Sequence, residues 1–137
     1  MMAEFYAEDD FPLNHERASA AFAALLADSR LGAVWIIEAD GADAGYLVLT
    51  YCHSMEYGGL IAFVDDFYVR RELRGAGLGS AALATARDWC AQHGLRALRV
   101  ETGHDNAAAQ TVYRRAGFAS TDRQLLMLPL APPTHVA

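Results

Sequence analysis

The apolar positions change period along the chain. From Asn14 to about Asp28, "HERASAAFAALLADS" spaces its apolar residues three and four apart, which predicts a helix with Phe22, Leu25 and Leu26 on its inner face and Asn14 as N-cap. The runs "AVWIIEA", "YLVLTYCH" and "LIAFVDDFYV" are short, β-branched and aromatic, and read as three strands. Their connections, "DGADAG" and "SMEYGG", carry turn chemistry, so the strands form an antiparallel meander. After Val69 the helical period returns from about Leu78 to His93, with Leu78, Ala82, Ala86, Trp89 and Cys90 as its buried stripe and Gly94 at its end. "LRALRVET" then predicts a strand, "NAAAQTVYRRA" a helix ending at Gly117, and "RQLLMLPL" a last strand before a proline-rich tail at 131–137. The strand–helix–strand unit at 60–102 should be a right-handed crossover between parallel strands. The pattern as a whole predicts one domain over 1–137 of α/β (α+β) class, with a mixed, mostly antiparallel central sheet and helices on both faces.

Between the third strand and its following helix lies "RELRGAGLGSAAL", with glycines at 75, 77 and 79. Unpaired amides in a flexible loop, pointing the same way as a helix N-terminus, are a physical means of holding phosphate. A P-loop is excluded, because it needs a lysine and the chain has none. A dinucleotide fingerprint, with Gly75 and Gly77 in place and Glu101 as the distant acid, fits poorly. Ser80 occupies its third glycine position, "RRELR" separates the strand from the loop, and a meander does not belong in a doubly wound fold.

Charge sharpens the picture. The net charge is −6, which speaks against nonspecific nucleic-acid binding. Residues 1–69 carry twelve acids against two arginines, whereas residues 70–115 carry eight arginines against four acids. The basic segment begins at the glycine loop, and every basic group is an arginine, the better bidentate partner for phosphate. No signal peptide or membrane span is apparent, and Cys52 and Cys90 lack metal or disulfide spacing. They read as buried, reduced thiols, and the expected location is cytoplasmic. His53 and His104 have no second ligand at metal spacing, so no metal is implied.

Arg74-Gly75-Ala76-Gly77-Leu78-Gly79 has the form R-x-x-G-x-G after a strand ending in an aromatic residue and valine. Farther on, Asn106, Ala109, Tyr113 and Gly117-Phe118 have the form N-x-x-A-x-x-x-Y-x-x-x-G-F. Two motifs in this order resemble the GNAT family of acetyl-CoA-dependent N-acetyltransferases over about residues 33–130, and "VDDFYV…RGAGLGS" most resembles its diamine and polyamine branch. The resemblance implies acetyl-CoA as co-substrate, held where two parallel central strands splay apart at positions matching Phe67, Tyr68 and Val69. Amides from Gly75 to Ser80 suit the pyrophosphate, and the backbone of Phe67–Val69 can pair with the pantetheine arm as an added strand would.

For chemistry, the resemblance implies Tyr113 as general acid beside the sulfur and Asn106 as a contact to the pantetheine arm. Ala109, between them on the helix, leaves room for a thin ligand. The alternative for this pair is an N-cap and a core aromatic. A base is expected among the nearby carboxylates: Asp65 by the two-residue strand period, Asp66 if a bulge inverts it, Glu101 less readily. The expected function is acetyl transfer to a primary amine of a small cationic acceptor: a polyamine, an aminoglycoside or a lysine-like side chain. The alternative is an acyl-CoA-binding module without turnover. The family usually opens with a strand, here absent or reduced to "AEFYA", and the sheet edge this leaves suggests a homodimer.

Overall fold

A computed structural model of the chain describes residues 1–132. Two helices come first, α1 (Met2–Glu8) and α2 (His15–Ala27). Asn14 caps α2, its side-chain oxygen accepting from the Arg17 N–H at 3.0 Å. Ala18, Phe22 and Leu25 form the stripe that faces the sheet. Leu26, expected beside them, is 71% exposed, because one further residue turns it by about 100° off that stripe. "AEFYA" is not a strand remnant but part of α1. Helical spacing brings Met1, Met2 and Phe5 onto Tyr46, Val48 and Tyr68, with the Phe5 and Tyr68 rings 5.5 Å apart.

The sheet has the order β1-β2-β3-β4, from β1 (Gly32–Ala39), β2 (Ala42–Ser54), β3 (Gly59–Val69) and β4 (Leu98–Val100). The first two pairings are antiparallel and β3–β4 is parallel. The β1–β2 turn is tighter than "DGADAG" suggested. Asp40 and Gly41 take φ of 52° and 77°, as a two-residue hairpin turn requires, and β2 begins at Ala42.

On the other face lie α3 (Leu78–Gln92) and α4 (Ala107–Arg115). Leu83, Ala86 and Cys90 of α3 meet Leu47, Leu49, Ala62 and Val64 of the sheet, with Trp35 and Trp89 edge to face at 5.4 Å. Leu83, which the expected stripe omitted, is among the largest fully buried side chains. Helices therefore cover both faces, as the pattern predicted.

Three further expectations need correction. Cys52 is exposed rather than buried, since it lies near the hairpin end of β2, beyond the Tyr46–Val48 stretch that α1 and α2 cover. The strand expected over 95–102 is reduced to Leu98–Val100, because its pairing with β3 stops at Val64. "RQLLMLPL" joins no ladder. Its flanks are tied elsewhere, Arg123 to Glu56 at 2.7 Å and the Pro132 carbonyl to Arg17 at 3.1 Å.

Candidate active site

Two adjacent acids inside an otherwise apolar strand break its alternation, and the register shows how. Leu49 faces Val64 and Val48 faces Asp66, so Asp65 is an extra residue, a bulge. At the same point β4 leaves: its last pair is Val64 with Val100. Beyond it, β3 continues alone on that side for five residues, 65–69. The Arg70 N–H donates to the Ala44 carbonyl at 2.8 Å. Antiparallel alternation from that bond makes Tyr46–Tyr68 and Val48–Asp66 the bonded pairs and turns the amide groups of Phe67 and Val69 away from β2, into the gap left by β4. The Val69 carbonyl accepts from Arg74 Nε at 2.8 Å. Of the three residues expected to line a ligand, Phe67 and Val69 thus present backbone to the gap. Tyr68 pairs with Tyr46 and buries its ring against α1.

The glycine loop closes one end of the gap. Gly75 and Gly77 have φ of 86° and 85°, and a side chain added at either would meet nothing within 4 Å. Both serve a left-handed conformation with open space above it. Gly77 is the N-cap of α3, without a side-chain cap and without an acid in the first turn. The amides of Leu78, Gly79 and Ser80 thus form an uncapped helix N-terminus, as an anion site needs. Gly79 has a different reason: a Cβ there would lie 3.2 Å from Phe67 Cζ. Ala76 lies between the two left-handed glycines and is exposed.

Arg74 sends its side chain elsewhere. Its guanidinium pairs with Glu8 at 2.7 Å, caps the Val69 carbonyl and lies over the Tyr68 ring, 5.4 Å from its centre. The Arg74 hydrogen bond is the main reason the Glu8 carboxyl sits below its ordinary pKa. The helix α1, to which sequence reading gave no role, thus anchors the entry to the loop.

From α4, Tyr113 sets its ring 6.1 Å from Phe67 and 5.7 Å from Phe118. Burial pushes its hydroxyl up to about 12, and among the described residues the hydroxyl has no hydrogen-bond partner. Asn106 caps α4, its oxygen accepting from the Ala109 N–H at 3.1 Å, so the capping alternative is realised for its oxygen. Gln110 donates to the carbonyls of Gly103 and His104, both at 2.9 Å, and ties the preceding loop to α4.

The carboxylates separate. Asp66 accepts from Tyr46 at 2.9 Å and Tyr6 at 3.4 Å, on the sheet face that α1 and α2 cover. The strand period had placed Asp65 with Phe67 and Val69, and the bulge cancels that register. Asp65 stands at the start of the gap, open to solvent on one side, while surrounding protein raises its carboxyl above the ordinary range through desolvation. Glu101 follows β4 and lines a cavity of about 1100 Å³ with Ser80 and Arg115. Phe67, Gly79 and Tyr113, from three different elements, are therefore brought together, and Asp66 is turned away from them. Among the described residues no cluster of three His, Cys, Asp or Glu side chains is arranged for a metal ion, and no helix is long and apolar enough to cross a membrane.

Comparison with known proteins agrees with this geometry. The family model of the acetyltransferase (GNAT) family matches residues 1–118. An aminoglycoside N(6')-acetyltransferase type 1 from Stenotrophomonas maltophilia is 30% identical over 112 residues, covering 78% of this chain and 72% of its own. The crystal structure of an integron cassette protein from the mobile metagenome of Cole Harbour Salt Marsh superposes with a TM-score of 0.89 at 51% identity, over 98% of this chain and 83% of that one. The fold is also that of AAC(6')-Iy, solved with the bisubstrate analog CoA-S-monomethyl-acetylneamine (TM-score 0.74, 22% identity, 85% of this chain and 81% of that one). With its gap between parallel strands, its glycine loop on a helix N-terminus and a match over most of its length, the chain belongs to the GNAT family of acetyltransferases and is an acyltransferase.

Proposed function

We propose that the protein transfers acetyl from acetyl-CoA to a primary amine of an aminoglycoside-like, multiply charged acceptor. The observation that carries this reading is the meeting of Phe67, Gly79 and Tyr113 at the mouth of the gap between β3 and β4. In this reading the amides of Gly75–Ser80 receive the pyrophosphate, and Phe67 and Val69 pair with the pantetheine arm. The Asn106 amide nitrogen, left over from the cap, reaches the same arm beside Ala109. Acetyl-CoA supplies a thioester; the protein's residues manage the protons.

An amine of pKa about 10.4 is neutral in only about one part in 10³ at pH 7, a penalty of about 4 kcal/mol. Asp65, with its carboxyl raised by desolvation, is the stronger base for being so and takes that proton. The amine nitrogen forms its bond to the acetyl carbon as the carbon–sulfur bond breaks; Tyr113 gives its proton to the departing sulfur and is reprotonated, through solvent, by the second proton that the nitrogen loses. A hydroxyl held at about 12 stays protonated at neutral pH and so is available as a donor; it is a weaker acid than a thiol of pKa about 8.5, and the transfer is driven by its coupling to the proton that the acylated nitrogen gives up. The acceptor class rests on the acidic balance of residues 1–69, a field that draws polycations, and on the likeness to the Stenotrophomonas aminoglycoside N(6')-acetyltransferase.

The test is CoA release against a panel of amines matched except for net charge, at low and moderate salt, beside a titration of acetyl-CoA binding. The expected result is turnover with a preference for polycationic aminoglycosides that weakens as salt rises. Binding without turnover on any amine would establish a module instead of an enzyme, and preference for neutral amines would overturn the acceptor class.

A further inference from the structure

The bulge in β3 decides which backbone groups the strand offers to the gap. Before it, the Ala62 N–H donates to the Ala97 carbonyl at 3.0 Å, so the even-numbered amides of β3 face β4. After it, the amides of Asp66 and Tyr68 face β2, and those of Phe67 and Val69 face the gap. The one extra residue, Asp65, makes that exchange.

The competing register is a continuous ladder, and the sequence nearly permits it. Without the extra residue, pairing onward from Leu49 and Val64 sets Asp65 opposite Val48, Asp66 opposite Leu47 and Phe67 opposite Tyr46. On the face that α1 and α2 cover, Asp65 would then stand where Asp66 stands, and Phe67 where Tyr68 stands. Acid replaces acid there and aromatic replaces aromatic. What the slip does not accommodate is Asp66. Its carboxylate would turn onto the α3 face, opposite Leu47, which is 1% exposed, in the apolar cluster of Val64 and Leu83. A carboxylate among hydrocarbon side chains is costly. In the observed register it is satisfied instead, accepting from the hydroxyls of Tyr46 at 2.9 Å and Tyr6 at 3.4 Å. Burial, and then the charge of Asp66, push the Tyr46 hydroxyl above its ordinary pKa, so it stays a donor. Only with the bulge are both acids placed acceptably, Asp66 on the tyrosines and Asp65 toward solvent.

Resting on the proposed function for what Asp65 and the two free amides do, we infer that Asp66, gripped by Tyr46 and Tyr6, is a positioning residue. It holds β3 in the bulged register, and so keeps Asp65 at the gap and the amides of Phe67 and Val69 turned into it. Fixing register is the best-attested use of a buried polar group. A leucine at this position would remove the obstacle to the slip. It suits the α3 face, and Asp65 would then leave the gap to satisfy the two tyrosines.

The experiment compares wild type, Asp66→Asn and Asp66→Leu in the full chain, by amide hydrogen exchange at positions 66–69 without ligand and by titration of acetyl-CoA. Asparagine still accepts from Tyr46 and still suits no apolar face. Slow exchange at 66 and 68, fast exchange at 67 and 69, and an acetyl-CoA Kd within about threefold of wild type are therefore expected of it. In Asp66→Leu, protection should move to 67 and 69. Its acetyl-CoA affinity should fall with the fraction of molecules that keep the bulge, about tenfold where one molecule in ten keeps it. Wild-type protection in Asp66→Leu overturns the inference, and so does an Asp66→Asn variant that loses the pattern. Should Asp66→Leu fail to fold, Tyr46→Phe decides, since it removes one hydroxyl and keeps the ring beside Phe22. Faster exchange at 66 and 68 supports the grip, and unchanged exchange overturns it. Because exchange is read without ligand, it decides the register by itself. A wild type that binds no acetyl-CoA would count against the proposed function alone.

Discussion

Replacing Gly77 by valine separates the loop's two tasks, conformation and ligand approach. At φ of 85° an ordinary residue carries about 1–2 kcal/mol of strain, and β-branching sits at the upper end. For a chain of this size each kcal/mol lowers Tm by about 3–5 °C. The isopropyl group would also stand in the open space above the first-turn amides of α3, where a phosphate oxygen must approach. Losing two hydrogen bonds to a charged acceptor, at about 1.5 kcal/mol each, weakens acetyl-CoA by about 3 kcal/mol, roughly 10²-fold in Kd. Gly41→Val is the matched control, because its φ of 77° is also left-handed and its surroundings are equally open, but it sits in the β1–β2 turn. Calorimetric titration and thermal melting of both variants give the comparison. Both should melt several degrees lower, and only Gly77→Val should lose affinity. Equal affinity in the two variants would refute the assignment of the phosphate to this loop.

Tyr113→Phe keeps the ring contacts with Phe67 and Phe118 and removes only the hydroxyl, so kcat should fall about 10²–10⁴-fold while acetyl-CoA affinity changes little; single-turnover kinetics showing an unchanged chemical step would leave Tyr113 a packing residue. Asp65→Asn should remove the acidic limb of the kcat/KM profile, a limb that in wild type falls at a pH above the ordinary carboxylate range. The same substitution should raise Tm at neutral pH. A carboxyl whose folded pKa is raised stabilises the fold below its unfolded pKa and loses that contribution as pH rises through the folded value, whereas asparagine never acquires the charge. An acidic limb that survives in Asp65→Asn assigns the base to another group.

Local rules carried far in this sequence where local physics decides. The Asn14 cap, the Asp40-Gly41 turn, the left-handed glycines at 75 and 77, and the two-sided helix packing all follow from side-chain size, period or φ, and each is present. What was not legible depends on partners distant in sequence. The Asp65–Asp66 pair announces a disruption of the strand, but which acid leaves the ladder is settled by Tyr46 and Tyr6, twenty and sixty residues away from Asp66. Arg74 reads as a phosphate ligand until α1 supplies Glu8. "AEFYA" has a composition that suits a strand as well as a helix, and the buried contacts of Met1, Met2 and Phe5 with the sheet decide for helix. "RQLLMLPL" reads as a strand because its composition demands cover on both faces, and a single copy does not provide it.

In the proposed reading, the gap beyond Val64 and Val100, closed by the glycine loop, holds acetyl-CoA with its sulfur beside Tyr113. A crystal structure of the protein with bound CoA tests it most directly. Pyrophosphate oxygens are expected on the amides of Gly75–Ser80, pantetheine paired with the backbone of Phe67 and Val69, and the sulfur within hydrogen-bond reach of the Tyr113 hydroxyl. CoA lying instead in the cavity between α3, β4 and residues 115–125, or a sulfur directed away from Tyr113, would contradict it.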